Sequence, residues 1–133
     1  MSLLILFIAT SVIFLVADAI MLTNVIQPIF QRHLGDGLLG GFRILPAILF
    51  YFTFMFGVIW FAGWPALRDG VPHMALINGA ILGFVAYGTY ELTSWAVMRD
   101  WHPQMVMVDM AWGTVVTAGS AWGGVMVARA FQG

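Results

Sequence analysis

Three carboxylates lie inside stretches of sequence that are otherwise apolar: Asp18, Glu91 and Asp109. A charge near the centre of a bilayer costs roughly 2.5–3.5 kcal/mol on insertion scales, so acids in such stretches usually face a protein interior. A half-buried carboxylic acid beside an ionised one can exchange protons, as general acid–base catalysis requires. We therefore take all three as candidate catalytic residues and expect Glu91 to be the proton donor or acceptor.

The apolar stretches around these acids predict the fold class. The chain has 133 residues, 62% of them hydrophobic and 8% charged, and its mean hydropathy is +0.95. A soluble domain of this size has too little interior for such a composition. Four runs are long enough to cross a hydrocarbon layer of roughly 30 Å: residues 3–22, 44–62, 74–97 and 105–127. The sequence predicts one all-α domain, residues 1–133, folded as a four-helix membrane bundle with short turns.

The link between the first two runs has its own periodicity. Phe30, Leu34 and Leu38 recur every four residues, opposite polar side chains. This pattern predicts a short helix lying in the headgroup region at about residues 28–39. Gly40 and Gly41 then separate it from the second run.

The first run also resembles the apolar core of a signal peptide, followed by the small-x-small pattern Ala17-Asp18-Ala19. No Arg or Lys precedes it, so we expect a retained first span. The first and third loops between the four runs contain three Arg residues, whereas the opposite membrane face has two. This difference favours a cytoplasmic position for the first and third loops. Trp95 and Trp101 fit an interfacial belt at one end of the bundle.

Small residues recur at helical spacing in the last two runs, as Gly79-x-x-x-Gly83 and Gly119-x-x-x-Gly123. In lipid, such spacing lets two helix backbones approach closely. We expect packing within the chain, with a dimer seam as the alternative.

The predicted topology brings the three acids to one membrane face. The ends of the first and third helices lie beside the start of the fourth, and the helical rise places each acid roughly 6–9 Å below the surface. The expected ligand pocket around them comprises Tyr87, Tyr90, Thr93, Ser94, Trp112 and Gly113. Arg99, His102 and Arg32 are expected to form its rim.

The residues alone leave several interpretations of the acids open. They could bridge helices through hydrogen bonds and Arg pairs, bind or modify an amphipathic molecule, or relay protons or cations. A metal site that adds His102 is a further alternative, but there is no Glu-x-x-His pair and no Cys. We expect no metal and no cofactor. The absence of Lys and a net charge of −1 argue against a nucleic-acid partner.

Three segments carry a resemblance to a known family: FLVADAIML at 14–22, VAYGTYELTSWAVMRDWHP at 85–103 and VDMAWGT at 108–114. The chain resembles DUF2177, a domain-of-unknown-function family of small bacterial membrane proteins with four predicted spans, over essentially its whole length. The family pattern has an acid late in the first span, a Tyr-acid-Leu-Thr run in the third and Asp-x-x-Trp-Gly in the fourth. The resemblance therefore implies that Asp18, Glu91 and Asp109 are the acids of this pattern. Where the family more often has Asp and Asn, this chain has Glu91 and Ser94.

The sequence thus predicts a multi-pass protein of the bacterial inner membrane whose acidic, aromatic pocket binds or modifies a lipid-like or isoprenoid-like molecule. Membrane lipid and a small amphiphile are the expected partners, and enzyme activity is left open. The alternative is an accessory subunit of a larger membrane protein complex. A third possibility is a homodimeric, proton-coupled transporter of small molecules.

Overall fold

The computed structural model describes residues 1–37 and 43–132. It is 92% helical, and the described residues form no strand. Four long helices pack together, so the predicted all-α helical bundle is confirmed. The last part of the predicted interfacial helix, with Leu38, Gly40 and Gly41, lies outside the described residues.

Helix α1 is continuous over Ser2–Leu34. Its parts are an α-helix Ser2–Met21, a π-helical turn Leu22–Ile26 and an α-helix Gln27–Leu34. The sequence predicts a helix break before residue 28, and the structure has none there. The wider turn explains this, because Pro28 lacks an N–H and its ring clashes with the carbonyl four residues earlier. In the π-helical turn Gln27 N–H bonds to Leu22 O instead.

Helix α2, Ile44–Asp69, repeats the same arrangement. An α-helix Ile44–Val58 continues through a π-helical turn, Ile59–Gly63, into Trp64–Asp69. The proline here is Pro65, and the carbonyl four residues before it is that of Phe61. Asn78 of the following helix donates to this carbonyl at 3.3 Å, so the freed acceptor is satisfied. The helix therefore runs past the predicted end at residue 62.

Helices α3, His73–Val97, and α4, Pro103–Gln132, form the second half of the bundle. Their starts lie within two residues of the predicted ones. Gly79 faces α4 so closely that a Cβ there would lie 2.9 Å from Ala118 Cα. The first small-residue ladder is thus used within the chain. The second is used only in part, because a Cβ on Gly119 would meet nothing within 4 Å.

Helix α4 lies at the centre of the bundle and is the most enclosed of the four. Helix α1 buries one narrow stripe with a spacing of four residues: Leu6, Thr10, Phe14 and Asp18. By contrast, α4 buries one or two residues in most turns, and on more than one face, including Asp109, Thr117 and Ser120. Polar groups in α4 are therefore surrounded by protein rather than by lipid.

Among the described residues, α1 and α2 are long and apolar enough to cross a membrane. Helices α3 and α4 are less apolar and do not meet the same criterion. Both carry many glycines and hydroxyl residues, as well as the acids Glu91 and Asp109. Their enclosure explains why they can be less apolar than α1 and α2, whose outer surfaces are largely exposed.

Candidate functional site

Asp18 ties three helices together. Its carboxylate Oδ2 accepts a hydrogen bond from the Tyr51 hydroxyl of α2 at 2.5 Å. Its Oδ1 accepts one from the Trp112 indole N–H of α4 at 3.0 Å. Asp18 is only 8% exposed, so both oxygens find their donors inside the bundle. This acid is fully engaged by the fold.

Glu91 has a different environment. Its side chain is completely buried, and its Oε1 accepts a hydrogen bond from the Trp101 indole N–H at 3.0 Å. Its Oε2 is buried with no donor in the described part of the chain. The Asp109 carboxyl lies within hydrogen-bonding reach of Glu91. Two ionised carboxylates only accept, so this contact becomes a hydrogen bond when one of the pair carries a proton.

No basic side chain neutralises these acids within residues 1–37 and 43–132. The ion pairs there join Arg68 to Asp69 at the end of α2 and Arg99 to Asp100 in the turn before α4, and both pairs are exposed. The interpretation in which Arg residues pair with the buried acids therefore finds no support in this region. The same residues contain no group of three or more His, Cys, Asp or Glu side chains able to hold a metal ion.

Aromatic rings enclose the acids. The Tyr87 ring lies directly on Gly113, where any Cβ would overlap the ring, and it packs edge-on against Phe54 at 6.0 Å. The Tyr90 ring packs edge-on against Trp101 at 5.6 Å. Of the residues predicted to form the pocket, Trp112 donates to Asp18, Gly113 packs against the Tyr87 ring, and Tyr90 is half exposed.

Thr93 is not brought to the acids. Its hydroxyl donates to the Thr89 carbonyl of its own helix, and its side chain lines a separate outer groove with Gly88 and Met110. Ser94 is partly buried. Its backbone carbonyl accepts a hydrogen bond from the Met98 N–H at the end of α3.

The predicted rim residues lie at the surface and contact none of the acids. Arg32 and Arg99 are exposed. The His102 ring stacks on His33 at 4.0 Å with an angle of 10° between the rings. His33 Nε2 contacts Gln104 Oε1 at 2.9 Å. These contacts attach the last part of α1 to the start of α4.

Two residues of the site are missing from the sequence prediction. Tyr51 belongs to a predicted apolar run, although it is the only residue in residues 44–52 with a hydroxyl group. Trp101 is predicted to lie in an interfacial belt, yet it is buried and is the donor to Glu91. Phe30 of α1 packs edge-on against the Trp101 ring at 5.4 Å.

An apolar groove lies beside Asp18 on the outer surface of the bundle. Its volume is about 350 Å³, and its walls are Ala17, Ile20, Met21, Asn24, Val25 and Trp112. Trp112 therefore has two roles, since one ring both lines the groove and donates to Asp18.

The comparisons with known proteins give one result. A family model described as "Predicted membrane protein (DUF2177)" matches residues 3–126. No curated protein and no solved structure matches the chain. Because the match covers nearly the whole sequence, the chain belongs to the DUF2177 family of predicted membrane proteins.

Proposed function

We propose that this protein binds a lipid-like amphiphile, with the apolar tail in the groove beside Trp112 and the polar head directed to the acids. The single observation that carries the proposal is the double role of Trp112, which joins an apolar groove to a buried carboxylate. Ligand sites typically combine an apolar cleft with a few polar groups that orient the ligand.

The setting of the groove supports a ligand that arrives through the membrane. Ala17, Ile20 and Met21 belong to α1, whose apolar surface suits a lipid environment. We infer that α3 and α4 cross alongside α1 and α2, making the protein a multi-pass component of a bacterial cytoplasmic membrane. Helices of their length span about 37 and 45 Å at the usual helical rise, enough for the hydrocarbon layer.

The three acids then have different parts in binding. Asp18 has donors on both oxygens and serves to fix Trp112 at the groove. Glu91 keeps one oxygen without a donor among the described residues, so it is the acceptor for a head group. Asp109 adjoins Glu91 and can share its proton.

Native mass spectrometry of the protein released gently from its membranes tests this proposal. We expect one co-purifying amphiphile of defined mass. Ala17→Leu places a larger side chain in the groove, and we expect it to remove that mass. The neighbouring Val16 is 57% exposed and does not line the groove, so Val16→Leu should retain it. An equal adduct in both variants would contradict the proposal.

One observation favours a second candidate, an accessory subunit of a membrane complex or a homodimer. Gly119 on the outer face of α4 has open space where a Cβ would be, and Val115 and Trp122 beside it are exposed. Another helix could pack closely there. In the same experiment, a stoichiometric protein mass that is lost in Gly119→Leu and kept in Ala17→Leu would support this candidate. Proton-coupled transport by a dimer would need this same face.

A further inference from the structure

Two histidines join the end of α1 to the start of α4. The His33 and His102 rings stack at 4.0 Å with an angle of 10° between them. Gln104 contacts both rings: its backbone N–H donates to His102 Nδ1 at 3.0 Å, and its side-chain Oε1 lies 2.9 Å from His33 Nε2. Each contact uses a ring nitrogen, so the arrangement depends on where the imidazole hydrogens are.

The backbone hydrogen bond defines the state of His102. A ring nitrogen that accepts from an N–H group must have a free lone pair, so His102 is neutral and carries its hydrogen on Nε2. Gln104 is the second residue of α4, and its N–H is one of the four at a helix start that have no partner within the helix. His102 therefore caps α4. A proton on His102 Nδ1 would remove this cap and place a positive charge at the positive end of the helix dipole.

The contact of His33 is compatible with a charge, whereas the stack is not compatible with two. His33 Nε2 donates to the Gln104 amide oxygen, and an imidazole can do so whether neutral or protonated. When both rings are protonated, two like charges face each other at the stacking distance and repel. Protonation of His102 therefore opposes the arrangement in two ways.

No acid neutralises these rings in the part of the chain that the structure describes. Neither imidazole forms an ion pair within residues 1–37 and 43–132. Asp100 pairs with Arg99, while Tyr90 and Glu91 contact Trp101. The other ionisable groups on the elements that meet here, or beside them, are Arg32 and Asp36 after the π-helical turn of α1, Arg43 before α2 and Asp109 in α4.

Little else attaches this part of α1 to the bundle. No residue of the segment Gln27–Leu34 is buried. Its apolar side chains, among them Phe30 and Leu34, are only partly buried against the Trp101 cluster. Polar contacts at His33 therefore decide to a large extent whether the segment stays on α4.

We propose that His33 and His102 form a pH-sensitive clamp, which is closed while His102 is neutral and is opened by its protonation. Histidine is the side chain that ordinarily changes its charge between pH 5 and 8, so the clamp holds Gln27–Leu34 on α4 at pH 8 and releases it at pH 5. Asn24 and Val25 immediately precede this segment and line the groove beside Trp112. Opening of the clamp thus frees one wall of the groove. The inference goes beyond the proposed function and needs no ligand for its test.

A distance between two spin labels tests the clamp. The chain has no Cys, so Gln31→Cys with Met107→Cys supplies the two labelling sites, both at exposed positions of α1 and α4. Pulsed electron paramagnetic resonance of the protein in lipid nanodiscs gives the distribution of distances. We expect one short distance at pH 8, and a longer one at pH 5, with the ratio of open to closed protein raised at least about tenfold. The same distribution at both pH values would overturn the proposal.

Histidine variants identify the group that titrates. Asparagine is a good helix cap that does not titrate, so in the labelled protein His102→Asn should keep the short distance at both pH values. His73 is exposed at the start of α3, so His73→Gln is the matched control and should retain the full change. A change of wild-type size in His102→Asn would overturn the assignment to His102.

Nitrogen NMR of the isotope-labelled imidazoles tests the clamp without substituting either of its rings. The chain has three histidines, so the His73→Gln background leaves the two of the clamp to assign. At pH 8 we expect His102 to carry hydrogen on Nε2 alone, as its bond from Gln104 requires. A hydrogen on His102 Nδ1 at pH 8 would contradict the proposed closed state.

Discussion

Asp18 and Glu91 lie at the same end of the bundle, yet their surroundings differ. Asp18 receives a donor on each oxygen, from two other helices. Glu91 receives one donor, the Trp101 indole N–H. Its other oxygen has no donor among the described residues, and the Asp109 carboxyl lies beside it. Both side chains are buried, so burial alone does not distinguish them.

The difference separates a structural role from a chemical one. A buried acid with complete hydrogen bonding fixes the positions of its donors, and removing it leaves them unpaired. A buried acid with incomplete hydrogen bonding is open to a further partner, which here would be a proton or a ligand. On this basis we assign Asp18 to the assembly of the bundle and Glu91 to its chemistry. Four substitutions test the assignment.

The largest effect is expected from Asp18→Ala. The change leaves the Tyr51 hydroxyl and the Trp112 N–H without their acceptor, and each unpaired buried donor costs about 1–3 kcal/mol. We expect a loss of roughly 3 kcal/mol in the free energy of unfolding, measured by thermal loss of helical circular dichroism in detergent. Asp100→Ala serves as the control and should change stability by less than about 0.5 kcal/mol. Equal losses in both would show that Asp18 ties nothing together.

Gly113→Ala should come next. Its Cβ would overlap the Tyr87 ring, so this ring, which packs edge-on against Phe54, must move. Overpacking of this kind costs about 1–3 kcal/mol, and the same thermal measurement applies. Gly119→Ala is the matched control on the same helix, where the new methyl group meets open space. It should stabilise the helix slightly, by up to about 1 kcal/mol.

Trp101→Phe probes the Glu91 side of the comparison alone. Phenylalanine keeps an aromatic ring beside Phe30 and Tyr90 but cannot donate to Glu91 Oε1. We expect a loss of about 1–2 kcal/mol in the free energy of unfolding, because Glu91 Oε1 loses its donor. Trp95 is 46% exposed, so Trp95→Phe should leave the stability unchanged. The same losses in the two variants would remove Trp101 from the site.

The smallest stability change is expected from Glu91→Gln. The amide oxygen can still accept from Trp101, and the amide N–H group can donate to Asp109. The free energy of unfolding should therefore change by less than about 1 kcal/mol. A destabilisation as large as that of Asp18→Ala would erase the distinction between the two acids.

The sequence predicts the positions of the four long helices, because these depend on the apolar runs and on the turns between them. It fails where a contact depends on partners far along the chain. Nothing near Tyr51 indicates that its hydroxyl bonds to Asp18, and nothing near Trp101 shows that its indole is turned inward. These pairs depend on how the helices are rotated against each other.

One prediction fails for a reason that is visible in the sequence. Thr93 is two residues from Glu91, and residues two apart lie on different faces of a helix. The structure accordingly places Thr93 in the outer groove. The helix end predicted near residue 22 fails for a different reason. Pro28 favours a break in the sequence prediction, whereas a π-helical turn accommodates it without one.

The π-helical turn at Leu22–Ile26 also sets the rotational phase of the last part of α1. Such a turn amounts to one extra residue within an α-helix, and one residue corresponds to a rotation of about 100°. The extra residue aims Phe30 at Trp101 and His33 at His102. Deleting a single residue from this turn would leave α1 helical but rotate both rings away from α4. The turn therefore acts as an alignment element that keeps the end of α1 against Trp101 and His102.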